Sequence, residues 1–196
     1  MNTAPSTSSR SVPMSSDDRS VARASHLEHQ RVPQIISRVH GQNKPVHYLF
    51  KFAATLMFEN PARNKSFAEL RQKLEVSSAE ILERCAKMSD SANNRKVLTH
   101  IIAIERWGAN RLAVLLGDKP LELDSSRAYA PDSANWAELQ EIFKQTRAAT
   151  VNLTARLAAS NSVATVAHNQ FGQVSGRGWV QYLTSHAHLE SRKIRG

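Results

Sequence analysis

A chain of 196 residues with 41% hydrophobic, 22% charged and 6% aromatic residues has room for one cored domain plus an extension, and too little for two substantial domains. The lone Cys85 excludes an internal disulfide framework, and no apolar run reaches the roughly 18 residues a membrane-spanning helix needs. The net charge of +9 invites a nucleic-acid reading. Its distribution argues otherwise: residues 1–66 hold nine Lys/Arg against four Asp/Glu, and residues 67–196 hold seventeen against thirteen. Arg10, Arg19, Arg23, Arg31 and Arg38 are single charges without interleaved aromatics, so no base-stacking platform is visible and a solvated basic surface is the better account.

In chain order, residues 1–25 are rich in Ser, Thr, Pro and Arg and nearly devoid of large apolar side chains. They cannot offset their own ordering entropy, so a disordered tail is expected. They also lack the continuous apolar stretch of a secretory signal, which makes the cytoplasm the expected location. Residues 26–65 form an extension whose apolar run "VHYLFKFAATLMF" suits one short helix or a buried segment.

From residue 66 the helical signals strengthen. Ser66 and Glu69 have capping-box spacing, and Phe67, Leu70, Leu74, Ile81, Cys85 and Met88 recur at helical intervals up to the polar break "SDSANN". Cys85 lies on that apolar stripe and reads as a small core residue. A second helix runs from about Arg95 to Leu116 and stops at "GDKP". After a loop containing Pro120 and Pro131, a third begins near Ser133, with Trp136, Leu139, Phe143, Thr150, Leu153 and Leu157 on one face as far as "ASNS". The fourth begins at the glycines of "SGRGWVQY". Four helices with no convincing strand predict an all-α, four-helix-bundle domain over residues 66–196.

The last helix carries "YLTSHAHLESRKI". At about 100° per residue, Trp179, Tyr182, Leu183, Leu189 and Glu190 fall within about 60° of His186, while His188 points about 160° away. His186 and Glu190 are therefore expected to face inward and His188 to face solvent. On helix two, His100 shares its side with Val97, Ala103, Ile104 and Trp107, so it too is expected to aim at the core. Two imidazoles and a carboxylate from facing helices make a plausible divalent-metal site with open positions. The competing account is a polar cluster in which Glu190 pairs with His186 or a neighbouring cation. Tyr182, one turn before His186, is either a hydrogen-bond donor to a substrate or a packing residue.

The stretch "VLTHIIAIERWGANRLAVLLG" resembles the second helix of DinB-like proteins, the superfamily that includes the YfiT-type and mycothiol-dependent maleylpyruvate isomerase branches. The terminal "YLTSHAHLESRKI" resembles that family's last-helix segment, which carries two further ligands one turn apart. The resemblance spans roughly residues 66 to 196. It implies a four-helix bundle holding nickel, zinc, manganese or iron at His100, His186 and Glu190. The usual pattern has histidine where this chain has Glu190, with a carboxylate among the ligands of one branch. It further implies kinship to transferases and isomerases that act on a low-molecular-weight thiol and a small electrophile. Two other roles stay open on the residues: a non-catalytic member of the fold, and a basic interaction protein contacting nucleic acid or an acidic partner. A homodimer through an outer face is open as well.

Overall fold

Ser66 ends one chain direction and starts another, because its side chain and that of Glu69 satisfy each other's backbone amides. In the computed structural model, which describes residues 55–118, 125–132, 134–160 and 162–196, Ser66 Oγ accepts from the Glu69 amide at 3.2 Å and Glu69 Oε2 accepts from the Ser66 amide at 2.7 Å. Helix α1 follows, Phe67–Ala86, burying Leu70, Leu74, Ser77, Ile81 and Cys85. Helix α2, Ala92–Leu115, starts from Ser91, whose Oγ accepts from the Asn94 amide at 3.2 Å. It ends in a Schellman arrangement: Gly117 adopts φ 75°, and the amides of Gly117 and Asp118 reach the carbonyls of Val114 and Ala113, each at 3.0 Å.

A single 3-10 turn, Ser126–Tyr129, precedes helix α3, Trp136–Ser160. Its first turn is closed by Asn135 and Glu138, each side chain accepting from the other's amide at 3.0 and 2.9 Å. Helix α4, Gly176–Ser191, begins at Ser175, whose Oγ accepts from the Gly178 amide at 3.1 Å. Helix α3 packs against α1 and α2, and α4 likewise packs against α1 and α2. The described chain is thus mostly helical.

One feature departs from the sequence reading, and a second fills in what it left open. The stretch before α4, expected to be strand-free, contains an antiparallel hairpin, β1 Thr165–His168 and β2 Gly172–Ser175, with Val166 opposite Val174 and His168 opposite Gly172. Val166 and Val174 are buried, so one hairpin face closes the core while the other meets water. Residues 55–65, for which a short helix or a buried segment is one reading, pack on the helices. Thr55–Glu59 forms a π-helical turn running into Asn60–Arg63, and Phe58 and Ala62 are buried. Glu59 ties this segment down, accepting from the Ser175 amide and hydroxyl at 2.8 Å each. The expected tail, residues 1–25, and most of the apolar run that starts at Val46 lie outside the described residues.

The apolar core has two parts. Leu70, Leu74, Trp107, Leu157, Val166, Val174 and Trp179 cluster at the hairpin end, and Ile81, Cys85, Leu98, Ile101, Leu139 and Phe143 at the other. Burial raises the Cys85 thiol to about 11, which fits an inert core residue. Between α2 and α3 lies a buried ion pair, Arg147 Nη2 to Glu105 Oε2 at 3.2 Å, with side chains 2% and 1% exposed.

Candidate metal centre

Helix α4 presents His186 and Glu190 one turn apart, and α2 presents His100 opposite them. One ligand atom from each lies within 4.8 Å of the other two. No other set of three His, Cys, Asp or Glu side chains gathers this way among the described residues. The His100 and His186 rings meet edge to face at 5.1 Å between centroids. His188 stands apart: its Nδ1 is 3.8 Å from Glu80 Oε2 and its Nε2 is 3.1 Å from Arg192 Nη2. The helical phase that separated the two histidines therefore agrees with their positions.

The depth of the site differs from expectation. His100 is exposed and His186 and Glu190 are half-buried, so the three groups meet at a rim and not in the core. Val97, Ala103, Ile104 and Trp107, which flank His100, are buried, and His100 sits at the edge of their face. Leu189, expected inside, is 50% exposed.

Burial lowers His186 to about 4, with the facing His100 adding to the effect and Glu190 opposing it. At neutral pH the ring is uncharged and its nitrogen lone pair is available to a metal. Burial works to raise the Glu190 carboxyl, but the Lys193 hydrogen bond and the charges of Lys193, His186 and His100 outweigh it and hold it below the usual range. Both Glu190 oxygens accept from Lys193 Nζ, at 2.7 and 2.8 Å. Lys193 was not singled out in the sequence, although a residue three positions after Glu190 shares its helical side.

Metal–ligand bonds of about 2.0–2.2 Å set ligand atoms roughly 3–4 Å apart, so this cluster has to tighten by about an ångström to close on an ion. The donor set fits: two imidazoles, one of them neutral, and an ionised carboxylate suit a borderline divalent metal. Glu190 would have to exchange Lys193 for the ion.

Behind the rim lies an aromatic box that sequence reasoning missed. Tyr182, 5.7 Å from the His186 ring, meets Phe58 edge to face at 5.1 Å and His168 at 4.9 Å. His168 stacks on Phe171 at 4.4 Å and touches Trp107 and Trp179 at 4.9 and 5.1 Å. Its Nδ1 accepts from the Gln170 amide at 3.1 Å, and its buried Nε2 has no hydrogen-bond partner among the described residues. The only sequence signal was a histidine in a short apolar alternation, "TVAH".

No helix among the described residues is long and apolar enough to cross a membrane. Compared with protein-family models, curated proteins and solved structures, the chain matches none.

Proposed function

We propose that residues 66–196 form a four-helix bundle of DinB-like type that binds one divalent metal ion through His100, His186 and Glu190. The observation that carries this reading is the convergence of three ligand atoms, from two helices, within 4.8 Å. The resemblance of the His100 stretch and of the last helix to the DinB-like pattern points the same way. A bound ion would supply Lewis acidity and stabilise the thiolate of a low-molecular-weight thiol for transfer to a small electrophile in the cytoplasm. His186 supplies a neutral nitrogen donor and Glu190 an anionic oxygen. Tyr182, whose hydroxyl burial raises to about 12, stays protonated and can donate a hydrogen bond to a substrate beside His186.

The Glu190–Lys193 ion pair favours a second reading, in which the fold is kept without metal and Glu190 is a surface-pairing residue. Metal analysis separates the two. Protein purified without a His-tag is incubated in turn with Ni²⁺, Zn²⁺, Mn²⁺ and Fe²⁺ and desalted. Near-stoichiometric uptake of at least one ion is expected, abolished in His186→Ala and kept in His188→Ala. Near-zero uptake of all four would overturn the metal reading.

A further inference from the structure

Beside the triad runs a groove of about 1060 Å³ between α1, α4 and the segment around Leu56–Pro61. That size lies just above the range for small-molecule pockets, about 300–1,000 Å³. Five large apolar side chains are half-exposed or more among the described residues: Leu56, Met57, Val76, Val163 and Leu189. All but Val163 line this one concavity. Exposed apolar residues scattered singly need no explanation, but four gathered in a groove mark a surface that something apolar covers.

Charge is arranged along the groove's length. Lys65 and Lys73 line one end, where Lys65 Nζ also donates to Gln181 Oε1 at 3.4 Å. Burial first, and then the adjacent Lys73, hold the Lys65 ammonium below its ordinary range. Two ammonium groups facing one concavity repel each other. Glu69, beside both, has its Oε2 held by the Ser66 amide and hydroxyl at 2.7 and 2.8 Å and offsets one of the two positive charges, which leaves this end with a net charge of one. An anion seated between the lysines would relieve the repulsion. At the other end Glu80 stands 3.8 Å from His188, and its carboxylate disfavours a second anion there. Lys73 and Glu80 are seven residues apart on α1, about 10 Å at 1.5 Å per residue. Between the two ends the lining is Val76, Ser77, Tyr182, Ser185 and His186.

We propose that this groove binds a small amphipathic monoanion, with its carboxylate between Lys65 and Lys73 and its apolar body lying over Val76 toward Leu189. The ligand is single-headed because only one end of the groove is cationic. Lys65, Lys73, Val76 and Leu189, which hold it, are not metal ligands, although His186 of the triad lines the same groove. A body about 10 Å long would pass directly against His186.

Titration calorimetry on the full chain tests the site, with EDTA present so that metal plays no part. Decanoate, decanol and decyltrimethylammonium serve as probes below their micellar concentrations. Decanoate should bind saturably at one per chain and at least tenfold tighter than either of the others. Lys73→Glu and Val76→Glu should each weaken it at least tenfold without moving the melting temperature, since both side chains are exposed. Equal affinity for the three probes, undiminished decanoate binding in both variants, or no saturable binding would each overturn the proposal. So would a dimer in sedimentation that Val76→Glu dissolves while decanoate fails to bind, which would assign the groove to a second copy of the chain. Failure of metal uptake with decanoate binding intact would sink the proposed function alone.

Discussion

His168 should make the fold acid-sensitive, and the size of the effect follows from its surroundings. Burial lowers its pKa from 6.5 to about 4, and the nearby charges of Arg111 and His186 add to the shift. The ring is only 7% exposed, and its Nε2 has no acceptor to receive a proton among the described residues. A histidine depressed in the folded state is protonated first in the unfolded chain. Its contribution is therefore complete above pH 6.5 and is lost as the pH falls from about 6.5 toward 4. Between pH 7.5 and 5.0 the unfolded ring takes up nearly a full proton and the folded ring almost none, which removes about 2 kcal/mol. In a domain of this size that is roughly 4–8 °C of melting temperature. His168→Asn keeps an acceptor for the Gln170 amide and cannot titrate, so thermal melts of the two proteins at both pH values isolate the term. His186 is present in both proteins, and only its coupling to His168 differs between them. The variant should lose clearly less stability than the parent on acidification. An identical pH dependence would mean that His168 is solvated in solution and that the aromatic box is open.

Three further outcomes are expected. Arg147→Met leaves Glu105 buried without its cation and should cost about 3–5 kcal/mol in urea unfolding; adding Glu105→Leu should recover most of it, and no recovery would mean that the pair is not the source. Lys193→Met frees Glu190 from its ion pair and should tighten metal binding roughly two- to fivefold, on the scale of an exposed pair worth about 0.5–1 kcal/mol; equal or weaker binding would count against Glu190 as a ligand. Gly178→Ala places a methyl 2.9 Å from Val174 Cγ1 and against the Glu59 carboxylate, so calorimetric melting should show a loss of about 1–3 kcal/mol.

The helix boundaries were legible wherever the signal was local. Ser66 with Glu69 and Gly117 with its following proline place both partners of a cap within a few residues, so the spacing carries the structure. The hairpin was not legible, because its strands are four residues each and only two of the residues on its buried face, Val166 and Val174, are apolar. The angular phase of α4 sorted His186 from His188, since periodicity fixes direction around a helix axis. It does not fix how far the neighbouring helix covers that direction. His100 and Leu189 share the side of buried residues and still reach solvent because they sit at its margin. The apolar run ending at Phe58 suggested that residues 55–65 could be buried, but not against what: their anchors are contacts with the hairpin and the last helix, and no pattern within the segment encodes them.

Glu59 makes that last point kinetic. Its carboxylate completes the first turn of α4 from 116 residues away in the chain. A helix start finished by so distant a group is assembled late, after the intervening loop has been closed at its entropic cost. During synthesis Glu59 emerges 116 residues before Ser175, whose amide and hydroxyl it will accept from. Phe58, whose ring meets Phe171 and Tyr182, gains those partners only when the hairpin and the last helix arrive.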